Sequence, residues 1–161
     1  VNVRGTYLCC KYAIPAIVAS GGGSVINQSS VAAIQGGGPP LSGPCAAYTT
    51  SKSAIIGLTN SVAYSYGHQG VRANSILPGL IATGMTASLL ESEEFRQAML
   101  DSTPLRRIGR PDDVATVAAF LASDESSFVS GAAIVVDGAC WLSQGVTYPQ
   151  PLLFEDASAA D

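Results

Sequence analysis

The sequence is short of charge and of long apolar runs. Only 12% of its 161 residues are charged, and eight Lys and Arg against twelve Asp and Glu leave a net charge of −4. Because proteins that bind nucleic acids neutralise phosphates with clustered Lys and Arg, this balance argues against a nucleic-acid partner. No apolar run approaches the roughly 18 residues that cross a bilayer, and no signal-peptide pattern is present. We therefore expect no membrane association and a cytoplasmic location.

Ligands for metals and partners for nucleophiles are also scarce. His68 is the single histidine, so any Cys/His or Ser/His catalytic set would have to use this one residue. The cysteines show no C-x-x-C spacing, and two of them are adjacent in the chain; they are Cys9, Cys10, Cys45 and Cys140. We expect reduced, mostly buried thiols and no metal site. The low charge also predicts that part of the surface faces other protein, as in a homo-oligomer.

What the sequence does contain is a helix-forming stretch at residues 46–58 with a phenol and an ammonium one turn apart. On a helix, residues i and i+4 lie on the same face with Cβ atoms about 5–6 Å apart, so Tyr48 and Lys52 can act on one small volume. A tyrosine hydroxyl has a reference pKa of about 10, and a cation beside it favours the ionised form. The alternative interpretation is a tyrosine packed beneath a solvated lysine.

The segment before this helix favours the catalytic interpretation. Residues 24–28 form a short apolar strand that is followed by the hydroxyls of Ser29 and Ser30. Here the sequence resembles the short-chain dehydrogenase/reductase family, in which a strand ending in Asn-x-Ser-Ser is followed by Tyr-x-x-x-Lys. Further matches follow in the family's order: Val1-Asn2 with Gly5, Pro78-Gly79-x-Ile81-x-Thr83, Arg107-x-Gly109-x-Pro111, Phe120-Leu121-Ala122-Ser123-Asp124, Ser130-Gly131 and Val136-Asp137-Gly138.

The resemblance implies a role for each matching residue. Tyr48 would be the general acid/base, and Ser30 would hold the substrate oxygen. Lys52 would favour the Tyr48 phenolate and bind the nicotinamide ribose, while Asn2 would hold a water that links Lys52 to solvent. The residues implied to bind the cofactor, NAD or NADP, are Tyr48, Lys52, Pro78, Gly79, Ile81 and Thr83.

The order of predicted elements indicates an α/β fold, since apolar strands alternate with helices and such units build a parallel sheet. The predicted helices cover residues 1–19, bent or ended near Pro15, then 46–66 and 111–122. The predicted strands cover 24–29, 71–77 and 132–137, the last covered on both faces. We expect a loop at 31–44, a weakly helical stretch at 83–103 that could serve as a lid, one domain over 1–146 and a tail over 147–161.

Several parts of the family pattern are absent. The glycine-rich phosphate turn, the residue that selects the ribose 2′ group and the Asn-Asn-Ala-Gly strand are all missing. We therefore expect the C-terminal part of a Rossmann-like, doubly wound domain whose N-terminal βαβ units are not included. The glycines at 21–23 precede a strand instead of opening a helix, so they are not a phosphate loop. Gln28 also stands where the family usually has an apolar residue.

The function implied by the resemblance is hydride transfer between NAD or NADP and a secondary alcohol or ketone, in a dimer or tetramer. Two alternatives stay open at this point. The first is a truncated, non-catalytic fragment or paralogue that serves in subunit assembly. The second is a Ser/Lys hydrolase, which would need Ser-x-x-Lys where this chain has Thr49.

Overall fold

A computed structural model describes residues 1–35 and 45–143 of the chain. Three strands and seven helices lie in these ranges, joined by two short 3₁₀ turns. In chain order they are α1 (Asn2–Ala19), β1 (Gly23–Gln28), α2 (Ala32–Gln35), α3 (Ala46–Tyr66), β2 (Val71–Pro78), α4 (Ala87–Leu90), α5 (Glu93–Ser102), α6 (Pro111–Ala122), β3 (Ala133–Val136) and α7 (Cys140–Ser143).

The three strands form one parallel sheet in the order β1-β2-β3. β1 pairs with β2 from Gly23 opposite Val71 to Gln28 opposite Ile76. Because all strands run the same way, their carboxyl ends meet at one edge, where ligands bind in open α/β sheets. The predicted α/β class is confirmed.

Helices cover both faces of the sheet, because neighbouring strand residues point to opposite sides. Ala73 of β2 is buried in a cluster with Cys10 and Ile14 of α1 and Val62 of α3. The preceding residue, Arg72, instead reaches α6 on the other face. The core around Ala73 therefore carries the helices α1 and α3, and α3 is the helix on which the candidate site stands.

Arg72 holds the C-terminal end of α6 against the sheet. Its guanidinium donates to the carbonyls of Leu121 and Ser123, each at 3.1 Å, and to Ser126 Oγ at 2.9 Å. The last carbonyls of a helix have no partner within the helix and carry partial negative charge, so a cation is favourable there. Ser24 of β1 adds a bond to the Leu121 carbonyl at 2.7 Å.

The glycines before β1 have a packing role. Gly22 adopts φ +112°, and a Cβ on it would lie 2.5 Å from the carbonyl oxygen of Gly70 in the turn before β2. The adjacent Gly23 amide donates to that same oxygen at 3.1 Å. The turns that start the two strands thus touch backbone to backbone, at the end of the sheet opposite the candidate site.

Some predicted boundaries are wrong. α1 covers Asn2–Ala19, close to the predicted 1–19, and only the option that it ends near Pro15 is excluded. Pro15 lies on the exposed side, where water can bond to the carbonyl that loses its partner. Residues 32–35 and 140–143 are helical, and β3 is half-exposed instead of covered on both faces. The rest of the predicted 31–44 loop and the tail at 147–161 lie outside the described residues.

The thiols are also less buried than expected. Cys10 is buried, whereas Cys9 is exposed and Cys45 and Cys140 are half-buried; all four are free. None of the helices in the described ranges is long and apolar enough to cross a membrane.

Candidate active site

Lys52 forms hydrogen bonds through its side chain and its main chain to two consecutive residues, the last residue of β1 and the one that follows it. Its Nζ donates to the main-chain oxygen of Gln28 at 3.1 Å. Its own main-chain oxygen accepts from Ser29 Oγ at 2.8 Å. The second turn of α3 is therefore fixed against the carboxyl end of β1, an edge strand of the sheet within the described residues.

Tyr48 lies one turn before Lys52 on the same helix. The Lys52 Nζ is 5.7 Å from the centroid of the Tyr48 ring, and the tyrosine is 41% exposed. The pair predicted from i, i+4 spacing is thus formed, and the ring stands open to a ligand. An ammonium at this distance is attracted by the face of the ring.

Partial burial lowers the pKa of Lys52 below its ordinary value of 10.5, because the charged form loses hydration. Within the described residues, the ammonium has one hydrogen-bond acceptor, the Gln28 carbonyl. An ammonium carries three donors, so two are left for a ligand or water.

Ser30 follows Ser29 directly and lies half-buried at the end of β1. Its Oγ accepts a hydrogen bond from the Ala32 amide at 3.2 Å. This bond orients the side chain and uses only an acceptor position. Among residues 1–35 and 45–143 the hydroxyl proton of Ser30 has no acceptor, so it can donate to a ligand or to water.

Asn2 reaches the same turn of α3 from the start of α1. Its Nδ2 donates to Ser51 Oγ at 2.9 Å, and Ser51 is the residue before Lys52. Ser51 Oγ in turn donates to the Tyr48 carbonyl at 2.8 Å. The main-chain oxygen of Asn2 accepts from Thr6 Oγ1 at 2.9 Å. The structure therefore brings Asn2 to the Tyr48–Lys52 turn, while its role toward a water stays a prediction.

The segment predicted to bind the cofactor, residues 78–83, begins beside the end of β1. The Pro78 carbonyl accepts from the Val31 amide at 3.1 Å, so Pro78 lies next to the residue after Ser30. A Cβ on Gly79 would lie 2.5 Å from the Cβ of Asp137, and the Gly79 amide donates to Val136 at 3.0 Å. Contact with the end of β3 thus requires glycine at position 79, whatever the ligand.

Ile81 and Thr83 are held in an ordered turn. Ile81 forms a parallel bridge with Gly109. Thr86 Oγ1 donates to the Ile81 carbonyl at 2.6 Å and accepts from the Thr83 amide at 3.0 Å. Sequence reasoning did not single out Thr86, although a hydroxyl three residues after Thr83 is a common turn pattern.

A cavity of about 270 Å³ lies beside this turn, between α5 and the end of β3. Ile81, Leu105 and Asp137 are among its lining residues, whereas Ser30, Tyr48 and Lys52 are not. The cavity therefore adjoins the segment predicted to bind the cofactor, and neither Tyr48 nor Lys52 lines it.

Comparison with known proteins gives a family match over most of the chain. The family model described as enoyl-(acyl carrier protein) reductase matches residues 1–139. A 2-(R)-hydroxypropyl-CoM dehydrogenase from Xanthobacter autotrophicus is 42% identical over 139 residues, which is 86% of this chain and 54% of that protein. A (3R)-3-hydroxyacyl-CoA dehydrogenase from Rattus norvegicus is 41% identical over 143 residues, 88% of this chain and 52% of that protein.

Solved structures agree with these matches. A short-chain type dehydrogenase/reductase from Mycobacterium ulcerans is 42% identical and superposes with a TM-score of 0.81, over 88% of this chain and 50% of that one. A gluconate 5-dehydrogenase from Burkholderia cenocepacia, in complex with NADP and tartrate, is 30% identical with a TM-score of 0.79, over 87% and 53%. The chain thus spans about half the length of these relatives. The expectation that it is their C-terminal part stays a prediction.

Proposed function

The chain belongs to the short-chain dehydrogenase/reductase family, and from that premise we propose that its protein is an NAD- or NADP-dependent oxidoreductase that interconverts a secondary alcohol and a ketone. The observation that supports this most is the anchoring of Lys52. Bonds to Gln28 and Ser29 hold it beside Ser30, with Tyr48 one turn away.

The proposed roles follow from what each group can donate or accept. The Tyr48 oxygen takes the proton from an alcohol hydroxyl, or returns it to a ketone oxygen. The Ser30 hydroxyl donates a hydrogen bond to the same substrate oxygen and fixes its position. The Lys52 ammonium favours negative charge on the Tyr48 oxygen. Asn2, through Ser51, holds the turn that carries both.

The described residues fit the nicotinamide end of a dinucleotide. Among the described residues Lys52 has two donors left for ribose hydroxyls, and the ring of Tyr48, a residue that is 41% exposed, lies 5.7 Å from its ammonium. The loop after β2, with Pro78, Gly79, Ile81 and Thr83, would hold the nicotinamide ring and its carboxamide. A bound nicotinamide dinucleotide supplies or accepts the hydride, which is the difficult part of the chemistry. The gluconate 5-dehydrogenase relative, solved in complex with NADP, supports this proposal.

Assembly and location are also proposals. Large apolar side chains stand exposed on α1 and α3, among them Val3, Tyr7 and Tyr12 on the first and Tyr64 on the second. Clusters of this kind favour contact with further protein, which supports a homo-oligomer, either dimer or tetramer. A cytoplasmic location stays a prediction.

Substitution of Tyr48 by phenylalanine tests the proposed function. Phenylalanine keeps the ring and removes the proton-carrying oxygen, so turnover in the full-length protein should fall on the order of 10²–10⁴-fold. Melting temperature and cofactor affinity should change little. Turnover is measured by NAD(P)H absorbance with a panel of secondary alcohols and ketones and with both cofactors.

Tyr64→Phe is the matched control, because Tyr64 lies on the same helix with its ring exposed at 92%. The control should keep wild-type turnover. Turnover of Tyr48→Phe within about threefold of wild type, far short of the range for a general acid/base, would contradict the assignment. Absence of turnover in the wild type as well would favour the non-catalytic alternative.

A further inference from the structure

Ser29 makes a buried contact with α3 to which the proposed chemistry gives no role. A buried hydroxyl needs a hydrogen-bond partner, and the partner in this structure belongs to Lys52. The side chain of Ser29 is 2% exposed, and its Oγ donates to the main-chain oxygen of Lys52 at 2.8 Å. That oxygen lies inside α3, where it already accepts from the amide four residues later. The bond from Ser29 is therefore a second one on a carbonyl that is already satisfied.

The bond from Ser29 to Lys52 lies between two other residues that the candidate site uses. Ser29 is followed directly by Ser30, whose hydroxyl is proposed to hold the substrate oxygen. It is preceded by Gln28, whose carbonyl accepts from the Lys52 ammonium at 3.1 Å. Of these three consecutive residues, Gln28 bonds to the side chain of Lys52 and Ser29 to its main chain, while Ser30 is proposed to bind the substrate. A shift between β1 and α3 would change the distance from Ser30 to Lys52 and Tyr48 together.

Resting on the function proposed above, we propose that Ser29 is a positioning residue. Its hydroxyl sets the register between the end of β1 and the Tyr48–Lys52 turn of α3, and so sets the distance from Ser30 to the proton-carrying pair. The hydroxyl touches neither substrate nor cofactor. Its effect on the reaction passes through Lys52.

The chain offers a control of nearly the same chemistry. Ser24 lies on β1, the strand that leads to Ser29, and its Oγ donates to a helix carbonyl, that of Leu121, at 2.7 Å. This bond is made to α6 on the other face, five residues before Ser29 and near the opposite end of β1. Ser24→Ala removes a strand-to-helix hydroxyl bond without touching the catalytic turn.

The test compares Ser29→Ala with Ser24→Ala in the full-length protein. For Ser29→Ala we expect kcat to fall about 10- to 100-fold, since a misplacement of about 1 Å can cost 10²-fold. The KM for the alcohol should stay within about twofold, and the midpoint of the pH profile of oxidation should move upward, because the cation no longer sits in place. Ser29→Thr, which keeps the hydroxyl, should restore the wild-type profile. Ser24→Ala should lower the melting temperature and leave the profile unchanged.

A second readout does not depend on turnover. The Lys52 side chain is titrated by NMR of lysine-labelled protein, with Lys52→Met to assign its signal. A changed Lys52 titration in Ser29→Ala, together with an unchanged one in Ser24→Ala, supports the inference. Equal profiles and titrations for the two alanine variants overturn it, even where Tyr48-dependent turnover upholds the proposed function. If the wild type shows no turnover, the proposed function fails, and an unaltered Lys52 titration in Ser29→Ala overturns the role of Ser29 separately.

Discussion

Lys52 is the residue on which the candidate site depends most. Its ammonium is partly removed from water, which costs free energy but strengthens its effect on a neighbouring phenol, since charges interact more strongly at lower dielectric. The bond from Nζ to Gln28 offsets part of that cost. Under the proposed function, a cation held in this way would serve both Tyr48 and the cofactor ribose.

Substitution of Lys52 by methionine separates the two proposed roles of this cation. The variant keeps the length of the side chain and removes its charge and donors. We expect the midpoint of the pH profile of alcohol oxidation to rise, because the phenolate loses its cation, and cofactor affinity to weaken, because the ribose loses its donors. The melting temperature should not fall much, since burial no longer opposes a charge. The measurements are a pH series of initial rates and calorimetric titration with NAD(H) and NADP(H).

Lys11→Met serves as the control, because Lys11 is an exposed lysine of α1. It should leave both quantities as in the wild type. If Lys52→Met also kept both the pH profile and the cofactor Kd, Lys52 would be a surface residue without a catalytic role.

Spacing along the chain predicted that Tyr48 and Lys52 share one helix face, since a helix turn is a local feature, whereas the choice of Ser30 came from the family resemblance. The partners of these residues were not predictable in the same way. The amide of Asn2 lies on Ser51, 49 residues further on, and Ser29 lies on Lys52, 23 residues further on. Only the packing of α1, β1 and α3 brings such pairs together, and a single sequence carries no signal for them.

At the scale of elements, α6 shows the same division. The signals for its start are local in sequence, namely Pro111 and the carboxylates of the first turn. The helix begins at Pro111, as predicted. Asp113 closes that turn by accepting from the Arg110 amide at 2.7 Å. The other end depends on Arg72, a residue of a strand 49 positions before Leu121. The sequence predicted the start of α6 at Pro111 but not the contact of Arg72 with its C-terminal end.

Asp113 should make part of the stability pH-dependent. Both oxygens of its carboxylate bind the Arg107 guanidinium, at 2.7 and 2.8 Å, and these bonds hold the pKa of Asp113 well below its usual value of 3.8. The folded state therefore binds this proton at a lower pH than the unfolded state does. The stabilisation is complete above pH 3.8 and is lost as the pH falls below it toward the folded pKa. Asp113→Asn should melt at a lower temperature at pH 7, and its difference from wild type should shrink below pH 3.8.

Asp112→Asn is the comparison for this prediction, because Asp112 is an exposed carboxylate in the same first turn. It loses the helix-dipole contribution but no ion pair to Arg107. Thermal melts of the three proteins from pH 2 to 7 provide the measurement. A gap between wild type and Asp113→Asn that is no larger than the gap for Asp112→Asn would show that the Arg107 pair contributes nothing measurable, as many exposed pairs do.

At the scale of the molecule, the class of fold was predictable because it follows from the alternation of apolar strands and helices. The structure confirms three parallel strands with helices on both faces. The half-exposed state of β3 was not predictable, since an apolar run such as residues 132–136 is typical of a covered strand. The burial of a strand depends on the elements that pack beside it. Within residues 1–35 and 45–143, β3 pairs with another strand on one side only.

β1 is the other edge of the sheet, and its outer side has consequences for the isolated chain. In the described ranges, β1 pairs with β2 alone, so one row of its N–H and C=O groups has no ladder partner. An unpaired strand next to apolar faces is a template for association. The chain spans about half the length of its relatives, 54% of the Xanthobacter enzyme for example. We therefore expect residues 1–161 alone to associate in solution.

The same chain should bind a nicotinamide dinucleotide weakly. Its contacts are proposed for the nicotinamide and ribose, through Tyr48, Lys52, Ile81 and Thr83. A pyrophosphate in such folds sits at a helix N-terminus after a glycine-rich turn, and the sequence contains no such turn after a strand. Light scattering and calorimetry on the purified chain, beside the full-length protein, measure both properties. A monodisperse monomer that binds NAD(H) or NADP(H) in the micromolar range would show that these 161 residues form a complete dinucleotide-binding unit, against this prediction.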